Sequence, residues 1–124
     1  MKKSILLIAS INGFLVVALG AFGAHGLESV LSAQSLETWA TAVQYHMFHT
    51  LALMLSGSLI GKRESSLLKN SAIAFVAGII LFSGSLYLLA LSGISWLGMI
   101  TPLGGVAFLA GWACLAWQQI TGKQ

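Results

Sequence analysis

The chain has 124 residues, 57% of them apolar and 7% charged, with six Lys or Arg against three acids and a formal net charge of +3. An ordinary soluble domain carries about 25% charged residues, and so few charges could not cover this much apolar surface in water. The length bounds it to one domain, no basic stripe marks a nucleic-acid surface, and the lone Cys114 excludes an internal disulfide or a Cys-x-x-Cys pair.

Lys2 and Lys3 precede an uncharged run over 4–24. A signal peptide begins in the same way, but its apolar core spans only ~7–15 residues, so the run reads as a retained first span. Leu27, Val30 and Leu31 alternate with Glu28, Ser29 and Ser32, which predicts a short interfacial amphipathic turn. Ser35 is expected to cap the second span, over 38–60, with Glu37 in the favourable first turn. Lys62, Arg63, Glu64 and Lys69 fill the next connection, and the third span follows over 71–91. The connection 92–101 is uncharged, Thr101-Pro102 reads as N-cap and first-turn proline, and the fourth span covers 102–120. Each run approaches or exceeds the ~20 residues that cross a bilayer. Unbroken apolarity favours helices over alternating barrel strands. The expected fold is therefore an all-α integral membrane protein, a bundle of four transmembrane helices in a single membrane domain.

Basic residues accumulate on the cytoplasmic side of membrane proteins. Lys2, Lys3, Lys62, Arg63, Lys69 and Lys123 all satisfy one orientation, with both termini cytoplasmic and Glu28 and Glu37 outside. Trp39 and Trp96 are then expected at the outer interface and Trp117 at the inner one, as an aromatic belt requires.

Small residues recur at helical spacing: Ala9, Gly13, Gly20 and Ala24 in the first span, Ala74, Gly78 and Ser85 in the third, Gly104, Ala107, Gly111 and Cys114 in the fourth. Such stripes let helix backbones approach closely in lipid, and Gly57-x-x-x-Gly61 adds another pair. Gly20, Gly23, Gly84, Gly104, Gly105 and Gly111 are the candidates for close packing. The second span carries a more polar face, Thr38, Thr41, Tyr45, His49, Ala52 and Ser56. His49 falls near the middle of that span, where a charge costs ~2.5–3.5 kcal/mol. It is expected to be neutral and hydrogen-bonded, with Tyr45 one turn away as partner, or with Asn12, Ser83 or Ser85 of another span. A Tyr and a mid-membrane His also suit a proton relay.

His46 and His49 have the i, i+3 spacing that two ligands of one metal could use, but His25 and Glu28 lie at the wrong depth to complete the set. No metal or other cofactor is therefore expected. Proton-coupled export of the kind used by small four-span multidrug exporters needs a carboxylate in the first span, where this chain has Asn12. No nucleophile and acid–base pair is placed for catalysis, so no enzyme is expected.

Five motifs occur in order: Ala21-Phe22-Gly23-Ala24-His25-Gly26-Leu27, Tyr45-x-x-x-His49, Phe82-Ser83-Gly84-Ser85-Leu86-Tyr87, Thr101-Pro102-Leu103-Gly104-Gly105 and Gly111-Trp112. Together they resemble the small four-span bacterial membrane family known as domain of unknown function 423, the YgdD/YwdK-like proteins, over nearly the whole chain. The resemblance implies a multi-pass protein of the bacterial inner (plasma) membrane and supplies no substrate. It includes the Tyr-x-x-x-His pair but not His46, which turns attention to His25, Tyr45 and His49. The expected function is that of an accessory or structural component in the lipid bilayer, acting on a membrane-protein partner or as a homo-oligomer. The alternative is a small-molecule, ion or proton-handling site in the outer half, built from His25, Tyr45, His49, Ser83, Ser85 and Tyr87.

Overall fold

The computed structural model describes residues 1–61 and 65–122. Five α-helices follow in order: α1 (Lys2–His25), α2 (Ala33–Leu59), α3 (Ser66–Gly78), α4 (Ser85–Ser92) and α5 (Thr101–Thr121). A π-helical turn, Ile79–Gly84, joins α3 to α4, so the two run on as one long helix, Ser66–Ser92. A 3₁₀ turn, Ser95–Met99, leads into α5. The chain is thus an all-α membrane protein of four long helices.

Three of these helices, Lys2–His25, Ser66–Ser92 and Ser95–Thr121, are long and apolar enough to cross a membrane. The helix expected over 38–60 is not among them. At 27 residues α2 is long enough, about 40 Å at 1.5 Å per residue. Its composition is lowered by His46, His49, Thr50 and Ser56, all buried within the bundle. Average polarity therefore overstates the polarity of the outward face of α2, although Gln44 is exposed on it. α1 packs chiefly on α2, and α5 chiefly on α3 and the π turn, while α2 also lies along α3, the π turn and α4. α2 is the central member.

The helix ends depart from the expected ones by a few residues. Ser32, not Ser35, caps α2, its hydroxyl accepting from the Ser35 N–H at 3.1 Å. Thr101 does not cap α5; its hydroxyl pairs with that of Ser85 at 2.6 Å, while Pro102 occupies the first turn as expected. Gly93, at φ 71°, ends α4 in the left-handed conformation that glycine adopts without a Cβ penalty. Trp39 is no belt residue: it is 4% exposed, and its indole N–H donates to the Leu19 carbonyl of α1 at 2.9 Å. Trp96 and Trp117 are exposed. The charge cluster Lys62, Arg63 and Glu64, and Lys123, lie outside the described residues.

Five glycines sit where helices meet. A Cβ at Gly23 would enter the Trp39 indole, at Gly78 the Phe108 ring, and at Gly104 the backbone of Phe82. At Gly57 it would lie 2.8 Å from Ile5, and at Gly111 2.6 Å from Phe75. Gly20 is in ordinary contact range of Val43 at 3.4 Å. Gly84 and Gly105 are not at such contacts: the nearest atom to a Cβ is 3.9 Å away at Gly84, and none lies within 4 Å at Gly105. The first five permit approach that a methyl group would block.

Gly104→Ala must displace backbone, whereas Gly105→Ala meets nothing. Overpacking costs typically ~1–3 kcal/mol, so Gly104→Ala is expected to lower the thermal unfolding midpoint in mild detergent while Gly105→Ala leaves it unchanged.

Candidate functional site

The buried face of α2 runs Trp39, Ala42, His46, His49, Thr50, Ala52, Leu53, Ser56 and Gly57, built on the three-and-four spacing of one helical stripe. It places both histidines inside the bundle, each 4% exposed, and leaves Tyr45 at its edge.

His46 bridges three helices. Its Nε2 lies 2.8 Å from the Asn12 Oδ1 of α1, and its Nδ1 lies 2.9 Å from the Tyr87 hydroxyl of α4. The Asn12 amide nitrogen donates to the Ile8 carbonyl, which leaves Oδ1 as the acceptor. His46 Nε2 therefore donates to Asn12, and the neutral Tyr87 O–H donates to Nδ1. Thr50 completes the cluster by donating its hydroxyl to the His46 carbonyl at 2.7 Å.

His49 takes the other tautomer. The Trp112 indole, which can only donate, reaches its Nε2 at 3.1 Å. The proton therefore resides on Nδ1, which donates to the Tyr45 carbonyl at 2.8 Å. The imidazole lies face to face on Phe108, with centroids 3.5 Å apart and planes 7° from parallel. Phe48, Phe75 and Trp112 ring it further. Both histidines are neutral and fully hydrogen-bonded, as hydrocarbon demands. Among the described residues no buried side-chain polar atom lacks a partner.

The six residues expected to share a site do not converge. Tyr45 and His49 share a helix edge with rings 6.2 Å apart, but the Tyr45 hydroxyl has no partner among the described residues, and His49 bonds the Tyr45 backbone instead. Tyr45 leans on Phe82 at 4.5 Å and is 41% exposed. Ser83 donates to the Ala42 carbonyl of α2, and Ser85 binds Thr101 and the Phe82 carbonyl. Tyr87 belongs with His46. His25 is exposed at the end of α1. Asn12, the expected alternative partner of His49, serves His46. Among the described residues no group of three His, Cys, Asp or Glu is placed to hold a metal ion. The space beside His49 is a groove of about 540 Å³ walled by Tyr45, Phe48, Phe82, Phe108, Leu109 and Trp112. It is aromatic and opens sideways between α2 and α5.

A family profile described as "Protein of unknown function (DUF423)" matches residues 19–105. The chain belongs to this family. It is 48% identical to the UPF0382 membrane protein YwdK of Bacillus subtilis, covering 89% of this chain and 90% of the relative. It is 44% identical to the UPF0382 inner membrane protein YgdD of Escherichia coli K12, covering 92% and 87%. A UPF0382 membrane protein of Haemophilus influenzae is 42% identical over 99% of this chain and 98% of its own length. No solved structure matches. The family segment includes both histidines and Tyr87, while Asn12 and Trp112 fall outside it.

Hydrogen bonds between membrane helices contribute on average ~0.6 kcal/mol and up to ~1.7. A double-mutant cycle of Asn12→Ala with His46→Ala is therefore expected to yield a coupling of about 0.5–1.5 kcal/mol, read from unfolding in detergent micelles. The pair Tyr45→Phe with His49→Ala is expected to show none, since the Tyr45 hydroxyl takes no part.

Proposed function

We propose that the chain is an accessory or structural integral membrane protein without enzymatic activity, acting through contacts within a bacterial inner membrane. The observation that carries this reading is the closed hydrogen-bond network: Asn12 and Tyr87 occupy the two nitrogens of His46, and Trp112 and the Tyr45 carbonyl occupy those of His49. Groups that must bind a substrate or shuttle protons need a free valence and a polar path. Here the valences are taken and the adjoining groove is aromatic. The network ties α1, α2, α4 and α5 together, which is the work of a scaffold.

Both termini lie on the cytoplasmic side in this reading. The start of α1 meets the end of α2 where Ile5 faces Gly57, and Ser65, before α3, donates to Gln118 near the end of α5. These four ends share one side of the bundle, with Lys2, Lys3 and Lys69. Glu28 and Glu37 belong to the opposite side. That separation is the positive-inside pattern.

A second reading retains proton handling, moved from Tyr45 and His49 to Tyr87, His46 and Asn12. It is favoured by the alignment of hydroxyl, imidazole and amide across three helices, a series through which a proton could pass if Tyr87 and Asn12 reached water. Vesicles reconstituted with the full chain and loaded with a pH-sensitive dye separate the two. The scaffold reading expects proton leak equal to protein-free vesicles. A leak in the wild type that His46→Ala abolishes and Asn12→Ala reduces would replace it with the second reading.

A further inference from the structure

The connection between α4 and α5, over 92–101, holds no charged residue. Its 3₁₀ turn, Ser95–Met99, buries Leu97 and leaves Trp96 and Met99 exposed, with Ile94 exposed just before it. Met99 reaches 78% exposure. The other connection at this end of the bundle, 26–32, is polar by contrast. Glu28, Ser29 and Ser32 are exposed there beside Val30, and Leu27 turns inward onto Trp39 and Ala90.

Two contacts set the depth of the apolar connection. The Thr101 hydroxyl meets that of Ser85 at 2.6 Å, so α5 begins beside the first residue of α4. From there the 8 residues of α4 rise about 10 Å. The connection therefore returns alongside α4, and a Cβ at Gly98 would lie 4.0 Å from the Leu89 side chain. Below Thr101, the 21 residues of α5 measure about 32 Å, which matches the ~30 Å hydrocarbon core of a bilayer. Headgroups raise the total thickness to ~40–45 Å. A segment lying within about 10 Å above Thr101 thus falls in the headgroup layer. Trp favours that depth. The backbone suits it as well: the N–H groups of Gly93, Ile94, Leu97 and Ile100 bond the Leu89 carbonyl, the Ser92 hydroxyl, and the Ile94 and Leu97 carbonyls. Internal partners lower the cost of leaving water.

We propose that the connection 93–100 is an interfacial foot, lying in the headgroup layer with Ile94, Trp96 and Met99 against lipid. Bilayer lipid is the occupant of this face because the surface continues into the lipid-facing sides of the helices it joins, through exposed Leu91 of α4 and exposed Leu103 and Val106 of α5. A single 3₁₀ turn is also far smaller than the ~20–30 residues that a stable protein interface takes from each partner. An aromatic belt would set Trp96 alone at this depth, whereas the foot takes in a whole connection and leaves the water-facing surface at this end to 26–32. The foot lies apart from the histidine network and holds under either reading of it.

The test uses the full chain with a Cys114→Ser background, carrying a single bimane label at Met99→Cys, at Ile94→Cys or, as the water-facing reference, at Ser29→Cys. Each is reconstituted in phosphatidylethanolamine–phosphatidylglycerol vesicles with iodide on both sides of the membrane, or with lipids spin-labelled near the headgroup or deep in the acyl chain. Labels at Met99 and Ile94 are expected to be quenched several-fold more by the shallow spin label than the label at Ser29, and several-fold less by iodide. Two labelled positions keep the test decisive where one variant fails to fold. Iodide quenching at both positions as strong as at Ser29 would make the connection an aqueous loop. Stronger quenching by the deep spin label than by the shallow one would make it part of a span. Protection from iodide and from both spin labels would mean that protein covers it. Each of these three results would overturn the proposal.

Discussion

Hydrocarbon offers no hydrogen bonds, and the bundle is organised around that deficiency. Its most polar helix, α2, lies in the middle, where α1, α4 and α5 can each answer one of its polar groups. Asn12 answers His46 from α1, Tyr87 answers it from α4, and Trp112 answers His49 from α5. An imidazole left without these partners would be a far larger liability than any single bond is an asset. The network thus specifies which helix sits beside which, and at what depth, in a chain whose apolar surfaces would otherwise slide over one another. The glycines do the complementary work, since Gly78, Gly104 and Gly111 bring α5 close against α3 and the π turn.

Much of the architecture was legible from the charges and apolar runs. Where the reading of α2 failed, it failed by one position. The face through Tyr45, His49, Ala52 and Ser56 and the buried face through His46, His49, Ala52, Leu53 and Ser56 share three residues, and of the expected four only Tyr45 lies off the buried face. Both satisfy helical spacing. Polarity suggested the first, because Thr38, Thr41 and Tyr45 are polar, yet the two threonines satisfy themselves on their own backbone and need no interior. An imidazole at mid-span can satisfy one nitrogen in this way, as His49 does on the Tyr45 carbonyl, but its other nitrogen needs a partner on another helix. Asn12 was the available signal, a mid-span amide in α1 with the reach to meet a histidine of α2.

Trp39 shows the same limit. An indole near a helix end reads as an interfacial anchor, but Gly23 leaves a hollow in α1 that the ring fills while its N–H finds the Leu19 carbonyl. Serine and threonine were likewise misplaced by local rules: Thr101 binds Ser85 across helices instead of capping α5. In each case a tertiary partner outcompeted a local one, and one sequence does not say which residues will be neighbours.

The π turn at Ile79–Gly84 carries a consequence of phase. A π turn holds one residue more than an α-helical path would, and one residue is about 100° of rotation. The surfaces of α3 and α4 are thus offset: Phe75 and Ala72 face the core shared with α5, while Tyr87 faces α2 and His46. Were the extra residue removed, the helix would stay continuous and equally apolar, and its hydropathy would hardly register the change. Everything beyond the deletion would nevertheless turn by that angle, carrying the Tyr87 hydroxyl off His46. The turn acts as a coupling that sets one half of a membrane helix against the other, so that a single span addresses two neighbours from two sides.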